Sequence, residues 1–238
     1  MLDTNGKGNG RRDLPFKLGH PHANRADMNE IILYDYWRSS ASYRVRIVLN
    51  LKGVSYTTVP TSLLDGAHKD PDYVARSPQG FVPMLHIDGH DLTQSMAIID
   101  YLDANYHESK MVSGDPVMRA KTLAQALVIA ADIHPVNNLR VLKYLKEKLG
   151  QEQAAIDDWY RHWIVEGFTA LEEMAPEDGL FGSDLPNLAD VCLVPQMSNA
   201  RRFDTPLEAF PKLVRIDAVL TALPAFAAAH PDAVKPAE

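Results

Sequence analysis

The sequence has one cysteine, Cys192, and a single thiol cannot form an internal disulfide. A chain without disulfides is typical of a reducing compartment, so we expect a cytoplasmic protein. Cys192 lies in the apolar run Val-Cys-Leu-Val, which favours a buried structural thiol over a nucleophile. Any chemistry that needs a reactive sulfur must then take that sulfur from a second molecule.

Long hydrophobic runs and an excess of positive charge are also absent. No apolar stretch approaches the roughly 20 residues that span a bilayer, so we expect no membrane partner. Lys and Arg number 24 against 31 Asp and Glu, and the formal charge of −7 argues against nucleic acid as a partner. We also expect no bound metal. The 238 residues, 46% of them hydrophobic, suffice for one large domain or two smaller ones.

The first 29 residues differ in composition from the rest of the chain. They hold four of the 13 glycines and a net charge of +2, so residues 30–238 carry −9. The segment lacks the apolar stretch of a secretory signal, and its composition is typical of a disordered extension or a tag. His20 and His22 lie within it, and we expect neither to bind metal.

From Glu30 onward, short β-rich runs alternate with helical ones. Residues 31–36 predict a buried strand, residues 40–52 a helix that ends at Gly53, and residues 54–59 a second strand. A helix that connects two neighbouring strands in this way predicts a βαβ unit with parallel strands.

A second unit follows a polar loop. Residues 71–76 predict a short helix, residues 81–87 a strand and residues 88–91 a hairpin turn, before an amphipathic helix over 95–106. Pro83 lies inside the predicted strand, and because proline has no N–H to donate, this position must be an edge, a strand start or a cis turn. The order βαβ followed by ββα is typical of a thioredoxin-like fold.

The strand signals stop near Met111. Residues 116–149 predict a helix that is broken or kinked around His134-Pro135, and further helices are predicted over 151–174, 187–200 and 211–223. Asn187 with Asp190 three residues later predicts a capping box. The expected fold class is α/β plus all-α, with a thioredoxin-like domain over residues 30–110 and an all-helical bundle domain over residues 116–235.

Several motifs carry a resemblance to a known family. They are Arg-Ser-Ser-Ala-Ser-Tyr-Arg-Val-Arg-Ile-Val-Leu at 38–49, Val82-Pro83, Gln94-Ser95, Ile-His-Pro-Val-Asn-Asn-Leu-Arg at 133–140, and Ala-Asp-Val-Cys-Leu-Val-Pro-Gln at 189–196. Over residues 30–235 the chain resembles the zeta class of glutathione transferases. The resemblance implies the glutathione transferase fold, glutathione as cofactor, and a homodimer.

Ser39 and Ser40 lie where a strand passes into a helix. Their hydroxyls and the first free N–H groups meet at the positive end of the helix dipole, where an anion is stabilised. By the resemblance, Ser39 is the partner of the glutathione thiolate, and Ser40 and the Ala41 backbone complete the pocket. The family often has cysteine in place of Ala41, so that sulfur is missing here. Each serine is alternatively only the N-cap of the helix.

The resemblance implies further glutathione contacts. In the cis form, Val82-Pro83 turns the Val82 main chain outward as an edge that an extended peptide can join. Gln94 and Ser95 lie at a helix start that can hold the γ-glutamyl carboxylate, and Ser95 is alternatively an N-cap. His68 aligns with a family glutamine that contacts glutathione, or it is only a solvated loop residue.

The helical half is expected to supply the site of the second substrate. His134, Asn138 and Arg140 are expected near glutathione, and the pair Asn137-Asn138 has poor propensity for the helix interior in which it is predicted. Arg38, Arg140 and Arg202 are the cations expected around a dicarboxylate, because guanidinium binds carboxylate bidentately. The resemblance implies that the catalytic set is Ser39, Ser40 and Arg38. The alternative for each arginine is a surface ion pair, which we expect for Arg201.

The resemblance implies a glutathione-dependent isomerase that converts maleylacetoacetate to fumarylacetoacetate in tyrosine and phenylalanine breakdown. In that reaction a thiolate adds to the cis double bond, the resulting single bond rotates, and elimination leaves the trans product. Three alternatives stay open: a maleylpyruvate isomerase, a broad zeta-class transferase acting on α-halo acids, and a non-catalytic transferase-like interaction module.

Overall fold

The computed structural model describes residues 30–236, and the predicted extension over residues 1–29 lies outside them. Within this part of the chain, no helix has the length and apolar character needed to cross a membrane. The four strands of its one sheet all come before residue 94, and helices dominate the remainder.

The first unit consists of β1 (Ile32–Asp35), α1 (Ser40–Leu51) and β2 (Thr57–Pro60). β1 and β2 pair in parallel, as predicted. β2 begins three residues later than predicted, because the main chain at Val54 is still hydrogen-bonded to the last turn of α1. Gly53 has a φ of +64°, and the Val54 N–H donates to the Leu49 carbonyl at 2.9 Å.

The second unit contains α2 (Pro71–Arg76), β3 (Met84–Ile87), β4 (His90–Thr93) and α3 (Ser95–Asn105), after a 3₁₀ turn at Ala67–Lys69. The strand order is β2-β1-β3-β4, with β3 antiparallel to both of its neighbours. The thioredoxin-like prediction is confirmed. Pro83 immediately precedes β3, and the Val82–Pro83 peptide is cis.

Helices make up most of the second half. They are α4 (Pro116–Leu127), a π-helical segment (Val128–Ile133), α5 (His134–Val136), α6 (Leu139–Glu147), α7 (Gln153–Met174), α8 (Leu188–Arg202), α9 (Pro211–Thr221), α10 (Pro224–Ala229) and α11 (Pro231–Val234). The last two were not predicted, and each begins with a proline at its first position, where the missing N–H has no cost.

The prediction that Asn137 and Asn138 lie inside a helix is wrong. Asn137 follows the end of α5, and its Nδ2 donates to the Tyr160 carbonyl at 3.0 Å. Asn138 is the N-cap of α6, where its Oδ1 accepts from the Arg140 N–H at 3.2 Å. Both residues therefore lie at a helix boundary, and the short amide side chain of Asn138 replaces a missing backbone partner at the start of α6.

The predicted capping box at the start of α8 is confirmed. Asn187 is the N-cap, and its N–H donates to the Asp190 carboxylate at 2.9 Å. That carboxylate also accepts from the N–H groups of Phe181 and Gly182. Burial raises the pKa of Asp190 to about 6, although these three N–H groups act in the opposite direction. Cys192, in the same helix, is fully buried, as expected for a structural thiol.

One buried ion pair joins four parts of the chain. The Arg46 Nη1 in α1 lies 2.8 Å from both carboxylate oxygens of Asp35, the last residue of β1. The same guanidinium donates to the Trp37 carbonyl at 3.2 Å and to the Ala229 carbonyl at 3.0 Å. Arg46 thus connects the end of β1, the following loop, α1 and the C-terminal segment (residues 224–236).

Replacing Arg46 with Met should lower the free energy of unfolding by about 3–5 kcal/mol, because Asp35 is then left buried without a partner. Urea unfolding followed by tryptophan fluorescence measures this loss. The control is Arg119→Met, which removes an exposed guanidinium 3.9 Å from Asp100 and should cost less than about 1 kcal/mol. Equal losses in the two variants would contradict the role given to Arg46.

Candidate active site

Strand register brings several loops to one end of the sheet. Asp35 at the end of β1 lies beside Pro60 at the end of β2. Tyr34 pairs with Met84, and Met84 with Thr93, so β3 begins and β4 ends at that same end. The site residues predicted from the first half all flank these strand ends or lie in the loops that leave them: Ser39, Ser40, Ala41, His68, Val82, Pro83, Gln94 and Ser95.

Ser39, rather than Ser40, is the N-cap of α1. Its Oγ accepts from the Ser42 N–H at 3.2 Å, and its own N–H donates to the Tyr36 carbonyl at 2.7 Å. The hydroxyl uses a lone pair in this cap, so its proton stays available for donation. Since Ser39 is only half-buried, this donor and the free N–H groups of the first helical turn can together stabilise an anion.

Ser40 is buried and faces the second half of the chain. Its Oγ accepts from Asn199 Nδ2 at 2.6 Å, and Asn199 Oδ1 accepts from Arg202 Nη2 at 2.9 Å. This chain of hydrogen bonds connects the start of α1 with the end of α8. Sequence reasoning missed Asn199, and the only signal for it was an asparagine inside a helix, where its propensity is poor.

Val82 presents an unpaired backbone edge at the start of β3. Its N–H and carbonyl form no hydrogen bond with any other residue between 30 and 236. The residue before it is fixed, because the Phe81 carbonyl accepts from Tyr73 Oη at 2.6 Å and from Ser77 Oγ at 3.3 Å. An extended peptide can therefore pair with Val82 as an added strand.

Gln94 and Ser95 form the start of α3. Gln94 is the N-cap and has a φ of +68°, a left-handed conformation that is uncommon for a residue other than glycine. Its Nε2 donates to Gln79 Oε1 at 2.5 Å. Ser95 is the first helical residue, so the alternative that it is the N-cap is wrong. The first N–H groups of α3 lack helical partners and favour a bound anion.

His68 lies beside the loop that carries Val82. Its Nδ1 is 3.2 Å from the Ser62 carbonyl, and the ring is half-buried. Gly80 approaches the His68 main chain so closely that a Cβ on it would lie 2.7 Å from the His68 carbonyl oxygen. With a φ of +58° as well, glycine is required there, and it allows the two loops to pack together.

His134, Asn138 and Arg140 surround the break between α5 and α6. Burial, and next the Arg44 guanidinium, lower the pKa of His134 to about 3, so the ring stays neutral near pH 7. Asn138 uses its side chain as a cap. The Arg140 guanidinium lies 5.2 Å from the centre of the Phe81 ring, and Phe81 directly precedes Val82.

The three arginines predicted around a dicarboxylate share one kind of environment. All are exposed, and each guanidinium lies over an aromatic ring: Arg38 over Trp37 at 4.4 Å, Arg140 over Phe81 at 5.2 Å and Arg202 over Phe203 at 4.9 Å. None of them forms an ion pair with a carboxylate of residues 30–236. The ion-pair alternative is therefore wrong for these three, whereas Arg201 does pair with Asp217, at 2.5 Å.

A cavity of about 300 Å³ lies at the ends of β1 and β2. It is lined by Trp37, Arg38, Thr61 and Ser62, and by Val234 of the C-terminal segment. Because Arg38 precedes Ser39 directly, this space adjoins the start of α1. Across the described residues, no group of three or more His, Cys, Asp or Glu side chains is arranged to hold a metal ion.

Comparisons with known proteins agree with this geometry. Residues 29–104 match the family described as glutathione S-transferase, N-terminal domain. The chain is also similar to the maleylacetoacetate isomerase of Rhizobium meliloti (strain 1021), with 49% identity over 211 residues that cover 87% of this chain and 99% of the relative.

Two solved structures extend the similarity to the whole fold. A maleylpyruvate isomerase, described as a bacterial glutathione-S-transferase in Zeta class, has a TM-score of 0.84 at 39% identity, over 87% of this chain and 100% of that one. A maleylacetoacetate isomerase from Anaeromyxobacter dehalogenans 2CP-1, with bound dicarboxyethyl glutathione and citrate in the active site, has a TM-score of 0.77 at 37% identity, over 88% and 94%. The chain belongs to the glutathione transferase family, in its zeta class.

Proposed function

We propose that the protein is a glutathione-dependent cis–trans isomerase that converts maleylacetoacetate to fumarylacetoacetate. The observation that carries the proposal is the start of α1, where the half-exposed Ser39 hydroxyl and the free N–H groups can hold a thiolate. The 49% identity to a maleylacetoacetate isomerase supports this choice of substrate. In this proposal residues 30–110 bind glutathione, and residues 116–235 supply most of the site for the second substrate.

Glutathione fits the unpaired groups at the end of the sheet. When bound, it supplies the thiolate that adds to the cis double bond and leaves again after rotation. The Val82 main chain pairs with the peptide, the start of α3 holds the γ-glutamyl carboxylate, and Ser39 donates to the sulfur. We propose that the glutathione contacts are Ser39, Ser40, Ala41, His68, Val82, Pro83, Gln94, Ser95, His134, Asn138 and Arg140.

Ser39 lowers the pKa of the thiol by stabilising its charged form. A free thiol has a pKa of about 8.5, so only a few per cent is ionised at neutral pH without such help. The Ser39 hydroxyl donates to the sulfur while its lone pair stays in the cap with Ser42. Ser40 keeps the start of α1 in place through Asn199, and it does so from a buried position.

Arg38, Arg140 and Arg202 hold the carboxylates of the second substrate. Each of them adjoins a residue that we assign to glutathione: Arg38 precedes Ser39, Arg140 lies over the ring before Val82, and Arg202 reaches Ser40 through Asn199. None of the three is paired with a carboxylate of the described residues, so each keeps N–H donors for a dicarboxylate, although one nitrogen of Arg202 already donates to Asn199. The bound dicarboxyethyl glutathione in the related isomerase is consistent with this arrangement.

The second candidate function is maleylpyruvate isomerisation. It is favoured by the similarity to a maleylpyruvate isomerase over nearly the whole described chain. The same thiolate site and the same arginines serve this shorter acid.

We also propose a homodimer in the cytoplasm. The zeta-class relationship supports the dimer, and α4 offers apolar side chains that a second copy could cover. Val117 is 62% exposed and Met118 is 47% exposed. A free, buried Cys192 agrees with a reducing compartment.

An assay of three substrates tests the proposed function. The purified protein is mixed with maleylacetoacetate, maleylpyruvate or dichloroacetate, with and without glutathione, and turnover is followed spectrophotometrically or as released chloride. We expect the highest kcat/KM for maleylacetoacetate and no turnover without glutathione. A higher value for maleylpyruvate would favour the second candidate, and a higher value for dichloroacetate a broad transferase. A protein that turns over none of the three would be a non-catalytic module.

Replacing Ser39 with Ala should lower kcat/KM about 10²–10³-fold, the usual effect of removing one donor to the reacting charge. Stability should fall by only about 1 kcal/mol, because Ser39 is also an N-cap. The matched control is Ser55→Ala, at an exposed position before β2, which should keep wild-type activity. Near wild-type turnover in the Ser39 variant would remove this residue from the mechanism.

Replacing Arg202 with Ala should raise KM for the dicarboxylate about tenfold, equivalent to about 1.4 kcal/mol, and KM for glutathione less than about twofold. Steady-state kinetics with each substrate varied in turn measures both constants. Arg202→Lys keeps the charge without the planar fork, so its effect should be intermediate. If both constants rose equally, Arg202 would act on Ser40 through Asn199 instead of on the second substrate.

A further inference from the structure

Arg44 is a buried guanidinium that lacks the partners such a group normally has. It lies in α1 with 1% of its surface exposed. Nη1 is 3.5 Å from the Ser95 Oγ, and Nε and Nη2 have no hydrogen-bond partner within residues 30–236. No carboxylate of these residues forms an ion pair with it. Burial lowers the pKa of Arg44, but an arginine side chain keeps its proton in proteins, so the charge persists.

Arg46, two residues later in α1, shows what a satisfied guanidinium looks like in the same protein. It is equally buried, and it is bound by a carboxylate and two carbonyl oxygens. A buried charge without a partner is strongly unfavourable, and an apolar side chain of similar size would usually leave the fold as stable or more stable. Fold stability therefore accounts for Arg46 and does not account for Arg44.

The groups around Arg44 do not neutralise it. His134 is kept neutral, since burial and then the Arg44 charge itself lower its pKa to about 3. Burial raises the pKa of the Cys192 thiol, which is therefore neutral as well. The polar group within reach is the Ser95 hydroxyl, at the start of α3. The positive charge is thus directed at a helix start whose own N–H groups favour an anion.

We infer that Arg44 is a positioning residue for glutathione. Its guanidinium holds the Ser95 hydroxyl and supplies the positive charge behind Ser95. This charge favours binding of the α-carboxylate of the γ-glutamyl group at the start of α3. The inference rests on the proposed function. Because Arg44 is almost fully buried, it acts through Ser95: the guanidinium donates to Oγ, and the hydroxyl proton is left to donate to the ligand. The α-carboxylate of bound glutathione then compensates the positive charge of Arg44, which has no counter-charge in the free protein.

Two changes at Arg44 and three thiol peptides test this inference. Arg44→Met removes charge and donors, and Arg44→Gln removes the charge but keeps an amide. The peptides are glutathione, 4-aminobutyryl-cysteinylglycine, which lacks the α-carboxylate, and glutaryl-cysteinylglycine, which keeps that carboxylate and lacks the amine. Titration calorimetry gives each dissociation constant without any need for turnover, and urea unfolding gives the stability of each free protein.

We expect wild type to bind glutathione at least about tenfold more tightly than the peptide without the carboxylate, and both variants to lose most of that preference. Affinity for glutaryl-cysteinylglycine should fall by the same factor as affinity for glutathione, and affinity for 4-aminobutyryl-cysteinylglycine should stay unchanged. The free Arg44→Met protein should be as stable as wild type or more stable, in contrast to Arg46→Met.

Different failures have different meanings. If wild type binds none of the peptides, the proposed function fails. If wild type binds glutathione and both variants keep the preference for the α-carboxylate, the inference about Arg44 is wrong while the proposed function stands. If both variants fail to fold, or lose stability as Arg46→Met does, Arg44 is a structural residue and the inference is equally overturned.

Discussion

The buried pair of Arg46 and Asp35 is the interaction on which the site depends. The Arg46 side chain is 1% exposed. Its guanidinium binds the Asp35 carboxylate, the Trp37 carbonyl in the next loop and the Ala229 carbonyl near the end of the chain. A pair this deeply buried is tolerated only when the remaining donors are satisfied, and the Trp37 and Ala229 carbonyls satisfy them. The loop that leads to Ser39 is thereby fixed at its start, and the C-terminal segment is held against α1. The position of the proposed thiolate partner thus depends on Arg46 and Ala229, which are 183 positions apart in the chain.

The same helix carries two kinds of buried arginine. Successive residues of an α-helix are about 100° apart, so Arg44 and Arg46 point to opposite sides of α1. Arg46 faces the end of β1, where the chain provides a carboxylate, and Arg44 faces the start of α3, where the chain provides a serine hydroxyl. The first side is complete in the free protein. The second has only the Ser95 hydroxyl within reach, and we infer that an anion bound at the start of α3 supplies the missing negative charge.

Local signals in the sequence were sufficient for the order of the elements and for several of their ends. The capping box of Asn187 and Asp190, the helix over Pro71–Arg76 and the glycine that ends α1 depend on neighbouring residues alone. The contact between Ser40 and Asn199 spans 159 positions, and no periodicity predicts it. The helix boundary at Asn137 and Asn138 was missed for a different reason: an asparagine in a cap and an asparagine inside a helix look the same in the sequence and differ only in backbone conformation. The sequence left both Ser39 and Ser40 as candidate caps, and only the backbone conformation shows that the cap is Ser39.

The chain is acidic, and the proposed function requires it to bind two anions. Some of its arginines are paired with carboxylates within the fold, and others have no carboxylate partner and can bind a ligand. Arg46, Arg76 and Arg201 are paired with Asp35, Asp91 and Asp217. Arg38, Arg140 and Arg202 form no ion pair with a described carboxylate, and each lies over an aromatic ring, which attracts the cation through the ring face and does not use its in-plane N–H donors. Rings also lie beneath Arg46 and Arg76, so the lack of a carboxylate partner is what distinguishes the first three. A carboxylate partner would have occupied those donors and cancelled the charge. Stacking on a ring orients each guanidinium without doing either, and this is how a protein of net negative charge can keep positive charge available for a dicarboxylate.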